Sequence, residues 1–79
     1  MTRDEIERLL IDIVRREKKI DAATLTPSTT LAEAGIDSLD ALTILFAIEE
    51  EFHISIPDDE ARAVKTVGDL IDIVVKHSA

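Results

Sequence analysis

SLDALTILFAIEEEF, residues 38–52, repeats its apolar side chains at the spacing of an α-helix and not at the two-residue spacing of a strand. On a wheel of 3.6 residues per turn, Leu39, Ala41, Leu42, Leu45, Phe46, Ile48 and Phe52 fill one broad arc, while Asp40, Thr43, Ile44, Ala47, Glu50 and Glu51 occupy the other. Two residues break the division. Ile44 stands among the polar positions, which marks it as a contact residue; Glu49 falls near the middle of the apolar arc, close enough to the helix end to reach water. Such a helix is stable only when other elements cover its apolar arc, so the flanking sequence must supply them.

Thr2 followed by Glu5 has capping-box spacing, and Ile6, Leu9, Leu10, Ile13 and Val14 then recur at helical intervals, which predicts a first helix over residues 3–17. From 18 to 37 the period is lost and Pro27, Ser28, Thr29, Thr30 and Gly35 collect, as in a long connection. Ile20, Leu25, Leu31 and Ile36 are placed to pin it to the core, and Thr30 with Glu33 can cap one helical turn inside it. Pro57 suits the first position of a short helix whose first turn holds Asp58, Asp59 and Glu60. Thr66 and Asp69 repeat the capping spacing before a last helix marked by Val67, Leu70, Ile71 and Val74 and ending near Lys76. The expected fold is all-α: one domain over residues 1–79, a small antiparallel bundle of three main helices plus a short one, with a long loop between the first two.

At 79 residues there is little room for an enclosed active site, and no cysteine is present to form a disulfide, ligate a metal or act as a thiol. No metal site is expected. Arg3, Arg8, Arg15, Arg16, Lys18 and Lys19 precede residue 20, Arg62, Lys65 and Lys76 follow residue 61, and the stretch between has no Lys or Arg. That stretch is rich in Asp and Glu, and the net charge is -8. This argues against nucleic acid as a partner and for basic protein partners, beside the plainer reading of a solvated acidic surface. The start of the sequence lacks a signal pattern, and the apolar run from Ala41 to Ile48 is too short to cross a bilayer, so no transmembrane segment and a cytoplasmic location are expected.

Ser38 has three readings. It can be the N-cap of its helix, although Asp37 is equally suited and Gly35 supplies the turn before it. A catalytic nucleophile needs a base within hydrogen-bond reach; His53 lies about four turns away at the far end of the same helix, His77 stands near the chain end, and both read as solvent-exposed. The third reading is that Ser38 is itself a substrate, modified by another enzyme.

The motifs favour the third. Gly35-Ile36-Asp37-Ser38-Leu39, then Ala47-Ile48-Glu49-Glu50-Glu51-Phe52, then Ile56-Pro57 followed by acids, then Thr66-Val67, resemble the acyl carrier proteins of fatty acid and polyketide synthesis over nearly the whole chain. The resemblance implies that Ser38 receives 4'-phosphopantetheine from coenzyme A, with Gly35, Asp37 and Leu39 completing the attachment motif, and that the arm's thiol carries acyl groups as thioesters. It implies a monomer with no turnover of its own, serving a phosphopantetheinyl transferase (holo-ACP synthase) and acyl-transfer and condensing enzymes with basic patches. Asp37, Asp40, Glu49 and Glu50, with Phe46 and Ala47 as apolar neighbours, are the implied partner contacts. Leu42, Phe46, Ile48, Ile56, Ala61, Val64 and Ile71 are the implied lining of a cavity for the acyl chain. Thr43 stands where many fatty-acid carriers have an acid and Ala34 where leucine is common, which leaves a specialised lipid, polyketide or modified-sugar pathway open. The alternatives are an aminoacyl or peptidyl carrier domain, and an acidic interaction module in which Ser38 is only a cap.

Overall fold

The computed structural model describes residues 2–18 and 25–78. Helix α1 runs over Arg3–Lys18, α2 over Ser38–Phe52, α3 over Asp58–Ala63 and α4 over Val67–Ser78, and no strand occurs among the described residues apart from one isolated bridge between Thr30 and Thr66. The all-α expectation holds, with helix boundaries within two residues of those read from the sequence. Ile20, expected to pin the connection, lies outside the described residues.

All three expected capping boxes form. Glu5 Oε1 accepts from the Thr2 N–H at 3.0 Å while the Glu5 N–H donates to Thr2 Oγ1 at 3.2 Å. Thr30 and Glu33 exchange the same pair at 3.1 and 3.1 Å, and so do Thr66 and Asp69, at 3.1 and 3.1 Å. Each box supplies acceptors to donors that a helix start leaves unpaired. Asp69 also accepts from the Lys65 N–H at 2.9 Å, and these backbone donors hold its carboxyl below the ordinary value. The sign follows. A carboxyl with a folded pKa lowered from about 3.9 stabilises fully above that value and loses its contribution as pH falls through the folded pKa. Asp69→Asn is therefore expected to lower the melting temperature at pH 7, and the difference from the unmutated chain is expected to narrow progressively as pH falls below about 3.9, which a series of thermal melts at decreasing pH will show.

Backbone bonds stitch the long connection to the start of α4. The Leu31 N–H donates to Lys65 O at 2.9 Å, Val67 N–H to Thr29 O at 3.0 Å and Gly68 N–H to Pro27 O at 2.8 Å. The first donors of α4 thus find acceptors in the loop, which draws the two backbones together. A Cβ on Gly68 would lie 2.8 Å from the Pro27 carbonyl oxygen. Helix propensity alone would make Gly68→Ala stabilising by about 1 kcal/mol, but a backbone clash outweighs it, and a net loss of about 1–3 kcal/mol is expected in denaturant unfolding.

The core joins Ile6, Leu10, Ile13 and Val14 of α1, Ile44, Leu45 and Ile48 of α2, and Val67, Leu70, Ile71, Ile73 and Val74 of α4. Leu25, Leu31, Ile36 and Ile56 close it from the connections. α1 packs against both α2 and α4, and α2 also meets α4. α3 buries no residue fully; it rests on half-buried Ala61 and Val64 and on Glu60, which pairs with Lys76 at 3.2 Å and with His77 at 3.1 Å. Partial burial of Glu60 works against its ionisation, yet the bonds from Lys76 and His77 together keep its carboxyl below the ordinary value. His77, expected in solvent, is half-buried in this contact, because α4 continues through Ser78 and carries it against α3. Pro57 is the residue before α3 and not its first, with φ -62° and ψ 149°.

The orientation of α2 departs from the wheel. Its inward stripe is Ile44, Leu45 and Ile48, all buried, with half-buried Ala41 and Phe52 beside them, and Ile44 is 1% exposed. Leu39, Leu42 and Phe46 form a second apolar stripe that points outward, at 76%, 47% and 60% exposure. Two apolar stripes side by side read as one broad arc, and only the positions of α1 and α4 decide which is covered.

Candidate functional site

The site is built from the turn before α2. Residues 30–35 make one helical turn that ends with Gly35 at φ +76°, where the Gly35 N–H donates to Ala32 O at 3.0 Å and the Ile36 N–H to Leu31 O at 2.9 Å. This paired bonding with a left-handed residue at its centre is a Schellman motif, and the positive φ is what calls for glycine there. Ile36 is carried into the core, which fixes where the chain leaves the turn.

Asp37 then caps α2. Its backbone is extended, its Oδ1 accepts from the Asp40 N–H at 2.8 Å, and its carbonyl accepts the first intrahelical bond from Ala41 N–H at 2.8 Å. Ser38 is the first helical residue, exposed, and its hydroxyl forms no hydrogen bond among the described residues. The capping role that Ser38 could have filled is thus taken by its neighbour. A free hydroxyl remains at a helix N-terminus, where the backbone N–H groups of the first turn and the helix dipole favour an anion.

Asp40 carries its own cation. Lys18, in the last turn of α1, meets Asp40 Oδ2 at 2.7 Å. The Lys18 hydrogen bond holds the Asp40 carboxyl below its ordinary value, and the same bond raises Lys18. Glu50 and Glu51 point into solvent. Glu49, expected among the partner contacts, is half-buried and turned toward the loop after α2, where its Oε2 accepts from the Ile56 N–H at 2.8 Å and its carbonyl from Ile54 N–H at 3.1 Å. It can lie in the apolar arc because a backbone donor meets its carboxylate there. His53, which ends α2 in the left-handed region at φ 55°, is exposed and far from Ser38.

The expected acyl-cavity residues divide. Leu42, Ala61 and Val64 line an open groove of about 470 Å³ between α2 and α3 that has Ser38 at its edge. Below it, Ala41, Ile44, Leu45, Ala61 and Val64 help to enclose a small pocket of about 30 Å³. Ile48, Ile56 and Ile71 are buried core that lines neither space, and Phe46 projects into solvent. The rotation of α2 explains both: it brings Ile44 and Leu45 to the pocket and carries Phe46 away. The wheel missed Ile44 and passed over Leu31 and Leu70, also pocket residues, whose helical and loop positions give no local sign of it.

Residues 8–74 match the family model described as a phosphopantetheine attachment site. The chain belongs to the acyl carrier protein family. An acyl carrier protein of Porphyromonas gingivalis is 39% identical over 74 residues, covering 92% of this chain and 95% of the relative. A mitochondrial acyl carrier protein of Dictyostelium discoideum is 43% identical over 72 residues, which are 91% of this chain and 60% of that longer protein. The crystal structure of an acyl carrier protein from Thermotoga maritima superposes with a TM-score of 0.86 at 32% identity, covering 98% of this chain and 91% of the other. The carrier role and the phosphopantetheine cofactor come with membership of this acyl carrier family, and the reading of α2 as no more than an acidic interaction surface gives way. Members of the family are not confined to one compartment, as the mitochondrial name of the Dictyostelium relative shows. Among the described residues no helix is long and apolar enough to cross a membrane.

Proposed function

We propose that Ser38 is the attachment residue for the phosphopantetheine arm and that the chain, itself without turnover, carries acyl groups on the arm's thiol to enzymes of fatty acid, lipid or polyketide synthesis. The observation that supports this most is the division of labour at the start of α2: Asp37 caps the helix and leaves the Ser38 hydroxyl exposed and unbonded. The residues fit the group. Ser38 Oγ is accessible, the helix start favours a phosphodiester, and Gly35 keeps the approach open, since nothing stands within 4 Å of where its Cβ would be. In the transfer, Ser38 Oγ forms the bond to phosphorus, adenosine 3',5'-bisphosphate leaves from coenzyme A, and the transferase takes the hydroxyl proton. When bound, the arm supplies the thiol that the protein lacks.

Partner recognition is assigned to the outward face of α2. Asp37, Asp40 and Glu50 offer charge to basic patches, and Phe46 and the exposed Leu39 and Leu42 offer apolar contact. Each exposed ion pair contributes only about 0–1 kcal/mol, which suits brief docking by a monomeric shuttle. A partner that engages Asp40 shares or displaces Lys18, which occupies only its Oδ2. The test is direct: after incubation with coenzyme A and a broad-specificity phosphopantetheinyl transferase, intact mass spectrometry is expected to show the addition of one phosphopantetheine. An unchanged mass overturns the reading.

A further inference from the structure

Ser38 stands on a ridge between two open grooves. The first, between α2 and α3, is lined on its far side by Asp58 and Arg62. The second, of about 440 Å³, opens toward the start of α4 and is lined by Asp37, Val64 and Lys65 besides Ser38. The first two cations after the long cation-free stretch of sequence, Arg62 and Lys65, therefore each share one of these grooves with the serine.

Neither is committed elsewhere by a close ion pair. Arg3, Lys18 and Lys76 each meet a carboxylate from another helix, whereas no such contact is made by Arg62 or Lys65 among the described residues. The charge of Lys65 does reach Asp69 and helps to lower its carboxyl, but without contact between the two charged groups. In a chain of net charge -8, an anion on Ser38 would be repelled by Asp37 and Asp58, while Asp40 is offset by Lys18. Arg62 and Lys65 are the uncommitted positive groups that can answer that repulsion. They are also chemically complementary: a guanidinium presents paired N–H donors to two phosphate oxygens, and an ammonium acts as a mobile point charge.

We propose that Arg62 and Lys65 form a two-sided cationic seat for the phosphodiester created on Ser38, and so decide how the first atoms of the arm lie between the grooves. The proposal rests on Ser38 as the attachment residue and adds to it two positioning residues from the α3–α4 segment. Both side chains are exposed, so replacing them removes charge without opening the core.

The experiment compares the apo chain with the chain loaded by coenzyme A and a broad-specificity transferase, loading being confirmed by mass. By NMR, the Arg62 Nε–Hε and Lys65 Nζ resonances are both expected to move on loading, because a phosphodiester held by both changes the surroundings of each donor. The phosphorus resonance is expected to differ between the loaded chain and its loaded Arg62→Gln/Lys65→Gln variant, while Arg16 and Lys76 signals stay in place. If Arg62 and Lys65 report identically before and after loading, or if only one of them responds, the two-sided seat is wrong although Ser38 is the attachment residue. If the mass never changes, attachment at Ser38 fails and the seat fails with it.

Discussion

Ser38→Ala is expected to abolish addition of phosphopantetheine completely and to leave the melting temperature of the apo chain nearly unchanged. The two halves of this result come from the same geometry. Ser38 Oγ makes no bond among the described residues, so its loss removes a nucleophile for the transferase and no stabilising contact. Asp37→Ala has the opposite signature. It removes the carboxylate that accepts from the Asp40 N–H, and loss of an N-cap costs about 1 kcal/mol, which for a domain of this size is a fall of roughly 4–8 °C. Measuring intact mass and thermal unfolding on both variants separates an anchor from a cap. A Ser38→Ala protein that still gains the arm, or that melts as low as Asp37→Ala, would show the roles to be assigned the wrong way round.

What could be read in advance follows from how far each feature depends on distant parts of the chain. The three capping boxes were legible because each is settled by two residues three apart: Thr2 with Glu5, Thr30 with Glu33, Thr66 with Asp69. Gly35 was legible as a turn for a similar reason, although the structure shows that the demand on it is a positive φ at the end of a helical turn. Gly68 gave no local sign of its importance, since the Pro27 carbonyl that crowds it stands some forty residues earlier in sequence. The contacts of Glu49 and His77 have no local sign either. The Ile56 N–H that holds the first and the Glu60 carboxylate that holds the second come from segments whose approach a helical wheel does not contain.

The rotation of α2 is the case with the largest energetic consequence. Ile44→Ala is expected to destabilise the chain by about 2–5 kcal/mol, because Ile44 is 1% exposed, sits in the core cluster and helps to wall the small pocket, so its truncation leaves a cavity that the surrounding helices cannot fill. Against a total stability of about 5–15 kcal/mol for a native domain, that loss can unfold much of the population, and Ile44→Val, at about 0.5–1.5 kcal/mol, gives the graded version of the same measurement. Phe46→Ala removes a larger side chain, yet at 60% exposure it is expected to cost no more than about 0.5 kcal/mol in denaturant unfolding. The reversed order, with Phe46 costly and Ile44 cheap, would restore the arc read from the sequence. With the order expected here, Phe46, Leu42 and Leu39 remain an outward apolar stripe on the helix that begins at Ser38, which is the surface proposed above for partner contact.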